Sequence, residues 1–247
     1  MNTHAPTRPH GESFGPKRTP NPKEHVYEAL GDAFEPALSA YDTGRRVEVL
    51  VDEFLPASAV AGKTVLDVGC GLGFFSERLA NRGAVVTACD LGPGLVERTR
   101  QRAGCRAVVA DALELTRDFG LDRFDVVVSS ECIEHTPDPD RALRQMMAVL
   151  RPGGYLSVST PNVVWWPVVR LATAVGARPF EGLENFSSWR SLRRAIEGAG
   201  GLVLREQGLH LFPFQLGLES LSRWSDRHLQ CFRGAMINLC VLAQKRG

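Results

Sequence analysis

The sequence predicts an α/β protein built on a doubly wound, mostly parallel sheet. Three observations carry this reading. Short apolar runs alternate with helical patterns between about residues 64 and 161, which is the grammar of parallel βαβ units with helices on both faces. Some runs are apolar throughout, such as the "VVV" of "FDVVVSS", as in strands covered on both sides. The first run ends in glycines, "VGCGLG", at the strand end beyond which open α/β sheets bind ligands.

Taken in order, residues 1–24 are rich in Pro, Thr, His, Gly and charge and read as a disordered tail. Residues 25–60 read as N-terminal helices: "EHVYEALGDAF", then "GRRVEVLVDEFLP" with Val47, Leu50, Val51 and Phe54 at helical spacing and a stop at Pro56. Residues 61–247 form the main domain, with an insertion at about 162–190. In it "KTVLDVGCGLG" is a strand and loop, "FFSERLANRG" a helix closed by Gly83, "AVVTACD" a strand, "GLVERTRQRAG" a helix, and "CRAVVAD" and "FDVVVSS" strands. "DPDRALRQMMAVLRPGG" is a helix with Asp138 as N-cap, Pro139 in the first turn and glycines after its end. "GYLSVSTP" is a strand. Beyond Pro161 come an apolar, aromatic insertion, "NVVWWPVVRLATAVGARPF", a helix, "SWRSLRRAIEGAG", a strand, "LVLREQGLHLF", and a closing strand, "AMINLCVLAQKR". That long excursion lets the closing strand enter antiparallel.

Composition narrows the function classes. The net charge of +1 over 247 residues gives no basis for a nucleic-acid groove. Arg98, Arg100, Arg102 and Arg106 read as solvated helix faces. The six cysteines show no C-x-x-C spacing, so they read as buried reduced thiols in a cytoplasmic protein. There is no apolar signal region and no run of about 18 apolar residues.

The glycine loop departs from a dinucleotide fingerprint: Phe74 stands where G-x-G-x-x-G needs its third glycine, and the spacing is Gly69, Gly71, Gly73. Asp67 precedes it inside the strand, where a carboxylate suits a cationic group better than a pyrophosphate. Asp90 ends the next strand, about 20 residues on, where an acid can accept both ribose hydroxyls. Asp111 ends the third strand, within reach of an adenine amino group. Any one of these acids could be a mere cap. Three at successive strand ends point to a nucleoside with a positively charged tail.

The stretches "VLDVGCGLG", "VTACD", "VVADALEL" and "LRPGGYLSVSTPN" resemble the motifs of class I S-adenosylmethionine-dependent methyltransferases over about residues 40–210. The resemblance implies a Rossmann-like, seven-stranded sheet with the last strand antiparallel, a helical lid, and N-terminal helices over the cofactor. It implies that Asp67, Gly69, Cys70, Gly71 and Gly73 hold the methionine end, Asp90 the ribose, Asp111 and Ala112 the adenine, and that Leu91 packs on the base.

"ECIEH", residues 131–135, with "EHTPDP", "STPN" and "GLH" followed by a proline, is similar to the E-x-x-E-H motif of the ubiquinone-biosynthesis O-methyltransferases. The small-RNA terminal-ribose 2′-O-methyltransferases share that motif. In both groups it holds a divalent metal that engages substrate oxygens. The chemistry is sound: residues three and four apart converge on one side of a turn, and carboxylates with an imidazole suit Mg²⁺ first, then Mn²⁺, Fe²⁺ or Zn²⁺. A ligated hydroxyl then deprotonates near neutral pH. The expected metal ligands are Glu131, Glu134 and His135, with Glu184 where the resembling families place a further histidine. The expected catalytic residues are His135 and Glu134. His135 acting as a metal-free base is the alternative, and the bland reading leaves Glu131 on the cofactor side with the other two in a surface turn. His210 is a less favoured substitute for that further ligand, and otherwise a pocket or core histidine. Arg45 or Arg46 resembles a family arginine that binds the methionine carboxylate, and spacing does not decide between them.

The insertion, with Trp165 and Trp166 beside Arg170 and Arg178, reads as a lid over an apolar pocket or as an interfacial helix touching membrane. The expected protein is therefore a cytoplasmic O-methyltransferase using S-adenosylmethionine and a divalent metal on a hydroxyl of a small aromatic or lipid-like acceptor. Small-molecule N-methylation, RNA terminal-ribose methylation and cofactor binding without transfer are the alternatives.

Overall fold

The computed structural model describes residues 39–174, 176, 183–213 and 217–247. The expected tail, the helix in "EHVYEALGDAF" and Arg178 lie outside the described residues. Seven strands form one sheet in the order β3-β2-β1-β4-β5-β7-β6. They are β1 (Thr64–Val68), β2 (Val85–Asp90), β3 (Arg106–Val109), β4 (Phe124–Ser130), β5 (Leu150–Pro161), β6 (Gly201–Leu209) and β7 (Asn238–Lys245). Pairings from β3 through β5 are parallel. β7 runs antiparallel between β5 and β6, as the closing segment was expected to do.

Strand alternation splits the core in two. Val127 of β4 packs on one face with Leu115, Met146, Met147, Leu192 and Ile196. Its neighbours Val126 and Val128 pack on the other with Leu50, Phe54, Phe75 and Leu79. A strand with helices on both sides has no polar face to show, so its run of valines is uninterrupted.

The described helices are α1 (Ala40–Val47), α2 (Ala57–Val60), α3 (Phe74–Asn81), α4 (Pro93–Ala103), α5 (Leu115–Phe119), α6 (Pro139–Val149), α7 (Trp166–Ala174), α8 (Trp189–Gly198) and α9 (Glu219–His228). The predicted cap of α6 is present: the Arg141 amide donates to Asp138 Oδ1 at 2.8 Å, and Pro139 follows the cap. The expected glycine stop is not its end, because α6 passes straight into β5 at Leu150. The second N-terminal helix also differs. After Val47 it widens into a π-helical turn over Glu48–Glu53, and the Phe54 amide bonds back to the Val49 carbonyl at 3.0 Å. Val49, Leu50 and Val51 are all fully buried there.

Candidate active site

Parallel strands end on one edge, so the tips of β1 to β4 meet, and there the glycine loop opens a cleft. Its three glycines have different reasons to be glycine. Gly69 has φ +73°, and a Cβ on it would sit 2.5 Å from Cys132 Sγ. Gly73 starts α3 at φ +84°, and its Cβ would meet the Thr99 backbone at 2.9 Å. Gly71 faces open space and lines the cleft. Gly69, Cys70 and Gly71 are cleft residues; Gly73 is a helix-packing residue and is not on the cleft wall, contrary to expectation.

Asp90, Leu91, Asp111 and Ala112 line the cleft. Asp90 Oδ2 accepts from the Gly71 amide at 3.0 Å and Oδ1 from the Gly92 amide at 3.1 Å. The Leu91 amide adds a third bond, and a carboxylate with about four acceptor sites still has capacity for a ligand. Asp111 Oδ1 accepts from the Leu113 amide at 2.9 Å. Asp67 corrects the sequence reading: it is buried and takes no part in the cleft wall. Its neighbour Val68 lines the cleft, and alternation turns Asp67 the other way, onto Ser76 Oγ at 2.5 Å. Burial pushes its carboxyl up to about 7, and the Asp90 charge adds to the rise against the Ser76 hydrogen bond.

The two arginines separate. Arg46 lines the cleft. Its Nε and Nη2 donate to Asp42, and Nη1 donates to Ser130 Oγ at 2.7 Å. Burial works against its charge, but Asp42 and Glu131 hold the proton on. Arg45 is fully buried away from the cleft, with Nη1 2.6 Å from Glu48 and Nε 3.7 Å from Asp226. It is not a cleft residue.

The E-x-x-E-H stretch follows β4. Glu131 takes φ +51°, a left-handed conformation costly for a side chain with a Cβ. It lines the cleft and accepts from Ser159 Oγ at 2.8 Å. Glu134 is buried behind the wall, accepts from Thr160 Oγ1 at 3.3 Å, and places Oε1 3.8 Å from His135 Nε2. Burial raises the Glu134 carboxyl well above the ordinary range, and the Glu131 charge adds to it. Burial raises Glu131 too, against the lowering charge of Arg46. His135 lines the cleft, its Nδ1 3.0 Å from the Leu183 carbonyl. Asn185 fastens the same segment to the turn, its amide donating to the Glu134 carbonyl at 2.8 Å and its side chain to the Thr136 carbonyl at 2.7 Å.

Glu184 thus sits between two residues docked on the motif. Even so, the expected metal set of Glu131, Glu134, His135 and Glu184 is not assembled: among the described residues no three His, Cys, Asp or Glu side chains are grouped to hold a cation. The donors do not fit a shared cation in this arrangement, because Glu134 is buried behind the wall that Glu131 and His135 line.

Sequence reasoning missed cleft residues Thr43, Phe75, Ser130, Cys132 and Thr136. Ser130 and Thr136 flank the motif and Cys132 lies inside it, so all three were reachable by proximity; Thr43 lies one turn before Arg46. Phe74, singled out for breaking the fingerprint, lines the cleft under the Arg102 guanidinium, 4.0 Å from its ring centre. His210 is a core residue, fully buried and absent from the cleft. None of α7 lines the cleft, and Trp166, Val168 and Leu171 of that helix are 44%, 53% and 64% exposed. Among the described residues no helix is long and apolar enough to cross a membrane.

The chain is similar to known methyltransferases. A family described as "Methyltransferase domain" matches residues 66–158. A ubiquinone biosynthesis O-methyltransferase of Coxiella burnetii is 33% identical over 184 residues, 69% of this chain and 77% of that one. The protein of the same name from Aeromonas salmonicida is 34% identical over 172 residues, 63% and 71% of the two chains. A solved S-adenosylmethionine-dependent methyltransferase from Mesorhizobium loti superposes with a TM-score of 0.61 at 21% identity, over 81% of this chain and 98% of that one.

Proposed function

Because this chain belongs to the S-adenosylmethionine-dependent O-methyltransferase family that includes the ubiquinone biosynthesis O-methyltransferases, we propose that it methylates a hydroxyl of a small aromatic or lipid-like acceptor, with His135 as the base. The observation that carries the base assignment is the hydrogen bond between His135 Nδ1 and the Leu183 carbonyl. A carbonyl oxygen only accepts, so Nδ1 carries the proton and Nε2 has the lone pair.

The cleft suits the methyl donor. Asp90 offers two carboxylate oxygens at a strand tip, Gly71 leaves room for a close approach, and the Arg46 cation lines the same cleft. S-adenosylmethionine, when bound, supplies a methyl already activated by its sulfonium. Asp90 would accept the ribose hydroxyls, Asp111 and Ala112 would meet the adenine beside Leu91, and Arg46 would pair with the carboxylate. What remains for this chain is to aim an oxygen in line with that methyl and to take its proton. His135 Nε2 takes the proton. No step is assigned to a metal, since Glu134 does not reach the cleft that Glu131 and His135 line.

The test is to supply S-adenosylmethionine with matched phenols, catechols and amines and to follow methyl incorporation, with and without a chelator. Methylation of the hydroxyl compounds that survives chelation supports the reading. Methylation of the amines alone would sink it. Activity lost on chelation and restored by Mg²⁺ would replace the metal-free base with a site in which Glu131 and Glu134 leave Ser159 and Thr160.

The exposed apolar side chains of α7, with Arg170 5.1 Å over the Trp166 ring, support the interfacial role for the insertion over the lid. A lipid-like acceptor would then be delivered from a membrane surface.

A further inference from the structure

The Arg46 guanidinium is held from behind by a buried chain that touches no reacting atom. Asp42 Oδ1 accepts from Arg46 Nε at 3.2 Å and lies 3.0 Å from His210 Nε2. An ionised carboxylate oxygen accepts, so in this pair Nε2 carries the proton. His210 is fully buried, and it is fixed on several sides. Its backbone amide donates to Asp226 Oδ1 of α9 at 2.9 Å. Its carbonyl accepts from the Ile237 amide at 3.1 Å. Its Nδ1 lies 3.4 Å from Ser222 Oγ, also on α9, and its ring stands 5.5 Å from that of Tyr41.

Backbone strain marks both ends of this chain. Among the described residues only Asp122, Glu131 and His210 have a positive φ without being glycine, and His210 sits at +61°. Glu131 stands across the cleft wall from Arg46, which shares Ser130 and Ser159 with it through hydrogen bonds of 2.7, 2.9 and 2.8 Å. Strained residues persist where the surroundings over-determine them, and they cluster at sites that must be held still. Burial pushes the Asp42 carboxyl up, yet the Arg46 charge and the hydrogen bonds from His210 and Arg46 outweigh it and hold it at about 2. Asp42 is therefore a standing anion. An anion with two oxygens and several donors takes its orientation from all of them, so removing the imidazole frees the carboxylate to turn and the guanidinium with it.

We infer that His210 is a positioning residue for Arg46: through Asp42 it sets the aim of the guanidinium into the cofactor cleft and ties that aim to α9. The inference rests on the reading of Arg46 as the contact for the cofactor carboxylate. Its signature is coupling, since a residue acting only through Arg46 has nothing left to do once Arg46 is gone.

The experiment measures S-adenosylhomocysteine affinity by calorimetry on the full chain, for Arg46→Gln, His210→Ala and the double variant. Asp42→Asn enters the same chain at a second point, and His210→Asn keeps a residue type that tolerates the left-handed backbone should His210→Ala fail to fold. Arg46→Gln and His210→Ala are each expected to weaken binding by about tenfold, with no further loss when they are combined. In turnover the His210 loss should fall on KM for the methyl donor and leave kcat nearly unchanged. Additive losses, or normal binding by the His210 and Asp42 variants beside a weakened Arg46→Gln, overturn the inference and leave the Arg46 reading standing. Normal binding by Arg46→Gln overturns that reading and the inference together.

Discussion

His135 Nδ1 reaches the carbonyl oxygen of Leu183 at 3.0 Å, across 48 residues of sequence. That contact selects one tautomer of the imidazole and turns the other nitrogen toward Glu134. If Nε2 takes the substrate proton, His135→Ala should lower kcat by on the order of 10²–10⁴-fold. Affinity for S-adenosylmethionine should be unchanged by calorimetry. Glu134→Gln should show a smaller kcat loss, because it alters a neighbour 3.8 Å from Nε2 and leaves the base in place. A His135→Ala enzyme of normal turnover would remove the base from the mechanism.

Asp90 is tied to Gly71 and Gly92 by both its oxygens, which fixes its aim into the cleft. Asp90→Ala removes a charged acceptor from the ribose and should weaken cofactor binding by about 10- to 100-fold. Calorimetric titration with S-adenosylhomocysteine reads this directly. Binding at the parental level would dissolve the ribose assignment.

The three loop glycines should rank by what a Cβ would meet. Gly71→Ala meets nothing within 4 Å and should cost only the left-handed backbone, about 1–2 kcal/mol. Gly69→Ala drives into Cys132 and Gly73→Ala into the Thr99 backbone, each adding about 1–3 kcal/mol of overpacking. Denaturant midpoints give the order, and a Gly71→Ala protein less stable than the other two would contradict it.

Asp67 should make stability fall as pH rises. Its folded pKa of about 7 is above the ordinary value of 3.8. Between those values the unfolded chain has lost the proton and the folded chain has kept it. The contribution is thus fully present below about pH 4 and lost by about pH 7. Asp67→Asn, which can still accept from Ser76, should be stabilised relative to the parent by about 2–4 kcal/mol at pH 8. The two should draw together toward pH 4. Parallel curves for parent and variant, from chemical unfolding at several pH values, would show that Asp67 is ionised in the fold.

The exposed Trp166, with Val168 and Leu171, should meet lipid if α7 is interfacial. Tryptophan emission should then shift to the blue on adding anionic vesicles, and Trp166→Ala should reduce the shift. Trp165, whose indole Nε1 donates to the Ala235 carbonyl at 2.8 Å, should contribute less. Emission that ignores vesicles would return the insertion to the role of a lid.

What the sequence determined by itself was everything written in short-range periodicity. Parallel strands alternate with helices in the chain and end on one edge, so the glycines and the acids Asp90 and Asp111 could be placed at one crevice by counting along the strands. Asp67 was not open to the same counting, because only the structure shows that Val68 beside it lines the cleft and that Asp67 turns onto Ser76. Tertiary packing decided the rest. Arg45 and Arg46 are adjacent on one helix, and only the seating of α1 against the sheet sends one to Asp226 and the other to the cleft. The spacing of Glu131, Glu134 and His135 allowed convergence. Ser159 and Thr160 of β5 and the carbonyl of Leu183, all remote in sequence, chose instead where each side chain points. The physical reason is common to these cases: backbone periodicity is a local property of the chain, whereas the direction of a buried polar side chain is set by whichever partner the fold brings within hydrogen-bonding distance.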